Sequence, residues 1–227
     1  MSLGLQVLYT FEEGTGSSVN DVSGMSSPLD LDIGDGLAVS WIPGGLRIDS
    51  ATLISSSGPA TKVIDSVRAS NEITLEAWVK PANTTQKGPA RILTLSADTH
   101  NRNFTLGQGR WGTQPSDLYD VRLRTTVTSD NGRPSLSTGS GSLTAQLTHI
   151  VYTRDASGVA RIYLDGVQRA LGPVDGDFSN WDSGFRLALA NELTEDRAWL
   201  GEFYLLAVYD RALSQLEVDQ NFASGPN

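Results

Sequence analysis

The sequence has no cysteine, only two histidines and no long hydrophobic run. The missing cysteines exclude disulfide scaffolds, thiol nucleophiles, iron–sulfur clusters and cysteine-ligated zinc. His100 and His149 are too few for a histidine-rich metal site. No segment approaches the roughly 18 apolar residues that a membrane-spanning helix needs, so membrane insertion is not predicted.

The charge balance is acidic, because 17 Lys+Arg stand against 26 Asp+Glu and give a net charge of −9. A negative protein is repelled by a phosphate backbone, so a nucleic-acid partner is not predicted. Lysine is scarce: it occurs at Lys62, Lys80 and Lys87, and the other basic residues are arginines. With 39 % hydrophobic and 19 % charged residues, the composition is typical of a folded globular chain.

Apolar and polar residues alternate with a period of two along much of the chain, which predicts β-strands. The pattern is clear at residues 73–80, 119–126, 149–153 and 160–164. Asp165-Gly166 follows the last of these segments and supplies the two positive-φ positions of a type I′ hairpin turn. Short strands at hairpin spacing, without helical crossovers, predict an all-β fold built as an antiparallel two-sheet sandwich.

One helix is predicted, near the C-terminal end of the sequence. Ser214 and Glu217 have the spacing of a capping box, and Gly225-Pro226 ends the segment. The chain has no internal repeat, and its Ser/Thr-rich stretches are too short to be inter-domain linkers. We therefore expect one domain over residues 4–225, and we expect residues 1–3 to be a start added for expression.

Four segments together carry a family resemblance. In chain order they are LYTFEEGTG at 8–16, ITLEAWVKP at 73–81, THIVYTRD with RIYLDGV at 148–167, and GEFYLLAVYDRALS at 201–214. They resemble the laminin-G-like, or concanavalin A-like lectin/glucanase, superfamily in its bacterial LamG, pentraxin-like branch. The resemblance implies a curved jelly-roll sandwich in which the first and last strands are neighbours.

A glycosidase is the enzymatic alternative on this fold. Glycosidases of the superfamily carry Glu-x-Asp-x-Glu on a strand, and this chain has Glu72 and Glu76 at that spacing with Thr74 between them. Glycoside hydrolysis needs two carboxyl groups roughly 5 to 9.5 Å apart, whereas positions i and i+4 of a strand are roughly 13 Å apart. Thr74 also lacks the charge that would tune a neighbouring carboxylate. The pattern therefore favours a protein that is not an enzyme.

The resemblance also implies a structural calcium ion between the opening and closing strands. Glu12 and Glu13 stand in the opening half of that site, whereas the acidic pair expected on the closing strand falls on Tyr204-Leu205. Asp210 and Glu202 are nearby substitutes in the sequence, since Ca²⁺ prefers several oxygen ligands. A structural Ca²⁺ held by Glu12, Glu13 and Asp210 is one alternative, and a protein without a cofactor is the other.

Carbohydrate recognition is the function that the side chains favour. Sugars stack their C–H faces on aromatic rings and present hydroxyls to planar polar groups such as Asp, Asn and Arg. Three stretches near 108–124, 180–182 and 191–199 combine these residue types. The candidate ligand-binding residues are Arg110, Trp111, Asp120, Arg122, Trp181, Asn191, Asp196 and Arg197.

The sequence thus predicts a non-catalytic, lectin-like binding module. We expect it to belong to a larger extracellular or cell-envelope protein, fused to other domains, with a glycan or a glycosylated surface as its partner. A patch of aromatic and arginine residues suits a protein partner equally well. A protein-binding adhesion or spacer domain is therefore the first alternative, and a glycoside hydrolase of the same fold is the second.

Overall fold

The alternating segments form β-strands in the computed structural model, which describes residues 3–226. Residues 1 and 2 of the expected added start lie outside the described residues. The strands are β1 (Leu5–Tyr9), β2 (Ser18–Val19), β3 (Leu31–Ile33), β4 (Val39–Ile42), β5 (Gly45–Ile48), β6 (Ile54–Ser56), β7 (Ile73–Pro81), β8 (Ala90–Ser96), β9 (Arg102–Gln108), β10 (Tyr119–Leu123), β11 (Leu136–Ser137), β12 (Thr148–Arg154), β13 (Val159–Leu164), β14 (Val167–Pro173), β15 (Arg186–Leu189) and β16 (Gly201–Tyr209). The helices are α1 (Thr61–Ser70) and α2 (Gln215–Ser224), with one 3₁₀ turn at Gly36–Ala38.

The strands pair into two antiparallel sheets, which confirms the predicted sandwich. The first sheet has the order β14-β13-β12-β7-β16-β5-β4, with β1 also paired to β16. The second sheet has the order β11-β10-β9-β8-β15-β6-β3-β2. Leu8 of β1 lies opposite Ala207 of β16, so the first and last strands are neighbours, as the resemblance implies. Asp165 and Gly166 have φ values of 52° and 78° and connect β13 to β14 as a tight hairpin.

The hydrophobic core lies between the two sheets. Ile73, Leu75 and Val79 of β7 are fully buried on the inner face, at the alternate positions that the sequence predicts. They belong to one cluster with Phe104 of β9 and Trp199. Because each buried aliphatic or aromatic side chain contributes roughly 1.5–3 kcal/mol, this layer provides the main stabilisation of the sandwich.

Helix α1 corrects the sequence prediction, which gave a single helix. Its N-cap residue, Ala60, makes no side-chain capping hydrogen bond, so the sequence lacks the usual start signal. The helix is held by tertiary packing instead, since Val63, Ile64 and Val67 are fully buried in the core. It ends at Asn71, which adopts a left-handed conformation with φ 56°.

Helix α2 covers the outer face of the first sheet. Its predicted capping box is present: Ser214 N donates to Glu217 Oε2 at 2.8 Å, and Ser214 Oγ accepts from Glu217 N. Phe222 of the helix stacks on Trp78 of β7, with ring centroids 5.8 Å apart. Helix α2 thus covers the outer face of β7, whose inner face is buried in the core. In residues 3–226, no helix has the length and apolar character that crossing a membrane requires.

The outer face of the second sheet is polar and charged. Along β10, Tyr119, Val121 and Leu123 point into the core, whereas the alternate residues Asp120 and Arg122 point outward. This face, opposite the one covered by α2, holds the main group of candidate functional residues.

Candidate functional site

A groove crosses the outer face of the second sheet beside β10. Two hollows of about 470 and 580 Å³ share Trp111, Arg122 and Arg133, so they form one continuous depression. Its volume is within the range of small-molecule and oligosaccharide sites. We call it the arginine groove; its charged and aromatic lining is Arg91, His100, Arg110, Trp111, Asp120, Arg122, Arg133, Asp196 and Arg197.

The structure brings together six of the eight sequence-predicted ligand residues. They come from three separate parts of the chain: the loop after β9, strand β10, and the loop between β15 and β16. The six residues in the groove are Arg110, Trp111, Asp120, Arg122, Asp196 and Arg197.

Asp120 organises the floor of the groove. Its carboxylate is buried and accepts hydrogen bonds from Arg122 Nε at 3.2 Å and from Ser135 Oγ at 2.7 Å. Ser137 Oγ donates to the same carboxylate, and Arg110 Nε lies 3.6 Å from it. Asp120 therefore positions the two arginines, and the arginines, rather than the carboxylate, face the space above.

Trp111 and Arg197 form the rim. The guanidinium carbon of Arg197 lies 4.5 Å from the centroid of the Trp111 ring, over one face. Arg197 Nη1 also donates to Asp196 Oδ2 at 2.8 Å, which holds the guanidinium in this place. Trp111 is 60 % exposed, so much of its ring remains open to solvent. An indole in this position offers an apolar platform beside charged groups.

Trp111 lies on a loop between β9 and β10 whose base is closed by backbone contacts. Gly109 N donates to the carbonyl of Leu118 at 2.8 Å across the base. Gly109 has φ 72°, and Gly88 packs so closely against it that a Cβ on Gly88 would collide with the Gly109 backbone. Both glycines are required where the two chain segments cross.

Asn191 lies behind the groove, and its assignment as a ligand residue needs correction. Its side chain is buried, and Oδ1 accepts from Glu192 N at 3.0 Å and from Arg197 N at 2.9 Å. Asn191 thus shapes the loop that presents Arg197. Glu192 is also buried, and its Oε2 accepts from Arg91 Nε at 2.8 Å, so an internal ion pair supports this side of the groove.

Trp181 is the second correction. It is 3 % exposed and packs against Phe178 and Phe104, with ring centroids 4.8 and 5.9 Å away. Its Nε1 donates to the carbonyl of Arg124 at 2.7 Å. Because the ring is covered and its polar atom is satisfied within the protein, Trp181 is a core residue with no face for a ligand.

Glu12, Glu13 and Asp210 do not come together as a metal site. Glu13 Oε1 accepts from the backbone N of Asn20 at 2.7 Å, and Asp210 Oδ2 accepts from Gln6 Nε2 at 3.0 Å. Across the described residues 3–226, no three His, Cys, Asp or Glu side chains are grouped in a way that could hold a metal ion. The geometry therefore does not support the predicted Ca²⁺ ligand set.

The ammonium group of Lys62 hydrogen-bonds to three oxygens of the segment that follows β1. Asp21 is buried and accepts from Leu29 N at 3.0 Å and from Lys62 Nζ. Lys62 Nζ also donates to the carbonyls of Met25 at 2.9 Å and Ser27 at 3.2 Å. Three protein oxygens thus surround one cationic side chain from α1.

This buried pair predicts a loss of stability in acid. Burial alone would raise the pKa of Asp21, but the hydrogen bonds from Lys62, Leu29 and Ser23 outweigh it and lower the pKa below the ordinary value. A carboxyl whose pKa is lower in the folded state stabilises fully above its unfolded pKa of about 3.9, and this contribution disappears as the pH falls through the folded pKa. We expect the free energy of unfolding to fall below about pH 4.

Urea unfolding as a function of pH measures this effect. Asp21→Asn should be less stable than the wild type at neutral pH and should show a flatter decline in acid. The control is Asp65→Asn, which removes an exposed carboxylate from the same helix as Lys62. An equally flat decline in both variants would contradict the assignment to Asp21.

Glu76, the candidate glycosidase residue, lies on the opposite face of the sandwich under α2. It is 3 % exposed; Oε1 lies 2.8 Å from His149 Nε2, and Oε2 accepts from Tyr209 Oη at 2.9 Å. Asn221 Nδ2 of α2 donates to Oε2 at 3.0 Å. Glu72 Oε2 accepts from the backbone N of Ala212 at 3.0 Å. The carboxylate of Glu76 is out of reach of a polysaccharide, so the Glu72–Glu76 pair does not form an accessible catalytic pair.

Arg91, His100 and Arg133 line the groove but were not among the sequence-predicted ligand residues. Arg133 reaches it because the preceding Gly132, at φ 63°, comes so close to β10 that a Cβ there would lie 2.7 Å from Leu123 N. The Asn-Gly pair before Arg133 is the local signal that could have indicated this tight approach.

A family model and several solved structures match this chain. The family model, a laminin-G model described as the concanavalin A-like lectin/glucanases superfamily, matches residues 55–219. No curated protein sequence matches. The chain is similar over 99 % of its length to a sialidase from Trypanosoma rangeli, with a TM-score of 0.69 and 16 % identity, and it spans about a third (33 %) of that protein.

Two further structures are similar over most of the chain. Domain 4 of AbnA, a GH43 extracellular arabinanase from Geobacillus stearothermophilus solved with arabinotriose, gives a TM-score of 0.63 at 19 % identity, covering 95 % of this chain and 97 % of that one. The binding domain of botulinum neurotoxin DC, solved with rat synaptotagmin II, gives a TM-score of 0.67 at 11 % identity, covering 97 % and 51 %. At these identities, the likeness establishes the shared fold.

Proposed function

The chain belongs to the concanavalin A-like lectin/glucanases superfamily, and we propose that within it this protein is a non-catalytic carbohydrate-binding module whose ligand lies in the arginine groove. The observation that carries the proposal is the exposed Trp111 ring beside the forked guanidinium groups of Arg110, Arg122 and Arg197. Oligosaccharide sites combine these two features, a flat apolar surface and planar polar groups around it.

In this proposal each side chain of the groove has a separate role in binding. A pyranose or furanose ring lies with its C–H face on Trp111, where burying apolar surface on both partners is favourable. The guanidinium groups donate hydrogen bonds to the hydroxyl oxygens at the edge of the sugar. Asp120 keeps Arg110 and Arg122 in place before the ligand arrives, which reduces the entropy lost on binding.

The proposal extends to the setting of the module. We place it as a single domain over residues 4–225 in a larger extracellular or cell-envelope protein, with a glycan or a glycosylated surface as partner. Two comparisons support this: domain 4 of an extracellular arabinanase has nearly the same extent as this chain, and the chain corresponds to about a third (33 %) of the length of a sialidase.

Trp111→Ala is expected to weaken glycan binding by about tenfold or more, because the variant loses the stacking platform. A glycan array identifies the ligand, and titration calorimetry then gives the two dissociation constants. Since Trp111 is exposed, the substitution should leave the melting temperature nearly unchanged. A reduced affinity therefore reports the contact rather than misfolding.

The control is Leu216→Ala, which truncates another exposed apolar side chain, on α2 and away from the groove. It should bind like the wild type. Equal binding by Trp111→Ala and the wild type would contradict the choice of site, and an array without any bound glycan would contradict the function. Release of reducing ends from a bound polysaccharide would overturn the non-catalytic part of the proposal.

A further inference from the structure

The arginine groove is positively charged in a protein whose net charge is −9. Five arginines line it, against two aspartates and the buried Glu192 that pairs with Arg91, and no lysine is among the lining residues. One of the aspartates, Asp120, is buried and paired with arginine. The acidic residues that outnumber the basic ones in the chain are therefore in the minority in the groove.

Arg133 is the least compensated of these cations. It is exposed, and in residues 3–226 no Asp or Glu oxygen lies within 4 Å of its guanidinium, unlike those of Arg122 and Arg197. It lines both hollows of the groove and so reaches any ligand that fills it. An exposed guanidinium without a counter-ion presents its full fork of donors to an incoming anion.

Arg102 adds positive potential from beneath the groove. Its side chain is fully buried, and in the described part of the chain it forms no ion pair; Nη1 donates to Thr105 Oγ1 at 3.0 Å and Nη2 donates to the carbonyl of Thr99, which lines the groove. Burial, followed by the neighbouring Arg91, lowers the pKa of Arg102 to about 9, so it is still charged at neutral pH. Its field reaches the groove because a low-dielectric interior screens it little.

We infer that the saccharide bound in the arginine groove is acidic, with carboxylate or sulfate groups that pair with Arg133. This inference rests on the proposed function and names the ligand class of the same site. Arginine forks match the two oxygens of a carboxylate or a sulfate in a bidentate way, which single-hydroxyl contacts to a neutral sugar do not require. Trp111 supplies the stacking surface for the ring that carries the anion.

The negative charge elsewhere on the protein sharpens the selectivity. A long polyanion that binds by charge alone is repelled by the remaining surface, whereas a ligand that also stacks on Trp111 gains affinity within the groove. Affinity should therefore depend on both the anionic group and the ring platform, and it should fall as salt screens the exposed part of the interaction.

Two pairs of polysaccharides test the inference, because the members of each pair share a sugar backbone and one of them carries the anionic groups. Dextran sulfate is compared with dextran, and polygalacturonate with its fully methyl-esterified form. Binding to the wild-type protein is measured by affinity electrophoresis and calorimetry at low and high sodium chloride. We expect at least one acidic member to bind about tenfold or more tightly than its neutral partner, with the stronger pair indicating sulfate or carboxylate.

Arg133→Gln should weaken binding of the acidic polysaccharide by about tenfold. Its control is Arg169→Gln on β14, which removes the same charge from another exposed arginine that has no carboxylate within 4 Å in residues 3–226. That variant should change the affinity by less than about twofold. Both positions are exposed, so equal melting temperatures verify that the variants fold.

The outcomes separate the two claims. Equal binding of acidic and neutral polysaccharides, reduced in both cases by Trp111→Ala but not by Arg133→Gln, would overturn the acidic ligand and leave the carbohydrate-binding function intact. Equal losses for Arg133→Gln and Arg169→Gln would show attraction by net charge alone and would also overturn the inference. If none of these four polysaccharides binds but the glycan array shows a bound neutral glycan, the acidic ligand is overturned; if the array shows no bound glycan as well, the proposed function itself fails.

Discussion

Replacing Glu192 with glutamine is expected to lower the free energy of unfolding by about 3–5 kcal/mol, because it leaves a buried arginine without its counter-ion. Arg91 and Glu192 are both buried and 2.8 Å apart, and Glu192 is the one carboxylate within 4 Å of Arg91 in residues 3–226. Burial lowers the pKa of Arg91, and Glu192 acts in the opposite direction. Glutamine preserves the shape but removes the charge.

The measurement is urea unfolding at neutral pH, followed by tryptophan fluorescence. The control is Glu195→Gln, an exposed position on the same loop, which should change the unfolding free energy by less than about 0.5 kcal/mol. A similarly small change for Glu192→Gln would mean that water reaches Arg91. The groove should be affected as well, since Glu192 accepts from Ser96 Oγ and holds the loop that carries Arg197 against β8.

Trp199→Ala is expected to cost about 3–5 kcal/mol of stability through the cavity that it leaves. The indole is fully buried, its ring centroid lies 4.8 Å from that of Phe203, and Nε1 donates to Gln108 Oε1 at 3.1 Å. The backbone at Gly201 lies so close to Trp199 that a Cβ on Gly201 would collide with the indole ring. The surroundings are shaped to this side chain and have little freedom to collapse.

Trp111→Ala is the matched control for this cavity, since it deletes the same side chain from an exposed position and should change stability by less than about 0.5 kcal/mol. Thermal and urea unfolding of the two variants give the comparison. Trp199 N also donates to the carbonyl of Ala190 at 2.8 Å and closes the loop that holds Asp196 and Arg197. A Trp199→Ala protein as stable as Trp111→Ala would contradict the packing account.

The sheets were predictable because alternation is a local property of the sequence. The two-residue spacing of the apolar positions that include Ile73, Leu75 and Val79 predicts which face of β7 is buried. Asp165-Gly166 predicts its hairpin turn from the two residues alone, without any distant contact. The start of α1 was not predictable in this way. Ala60 offers no capping side chain, and the helix is stabilised by core contacts that only the folded chain supplies.

The sequence predicts the residue types of the candidate site, but only partly which individual residues reach the groove. Trp111 and Trp181 both lie among polar residues in the sequence, yet one is exposed in the groove and the other is buried against Phe104, which is distant in the chain. Burial of this kind depends on tertiary packing rather than on neighbouring residues. Arg133 joins the groove through a backbone approach at Gly132 that the sequence indicates only as a turn.

The closed base of the Trp111 loop separates residues that the fold requires from loop residues whose identity the fold does not fix. Gly88 and Gly109 meet backbone to backbone, and the Gly109–Leu118 hydrogen bond completes the crossing, where Arg110 donates to Ser137 and Ser116 donates to the carbonyl of Thr84. Residues 111–115 are exposed beyond this closed base. That segment places Trp111 at the rim of the groove. Evolution or engineering can therefore replace these exposed loop residues and change the lining of the groove while the sandwich keeps its fold.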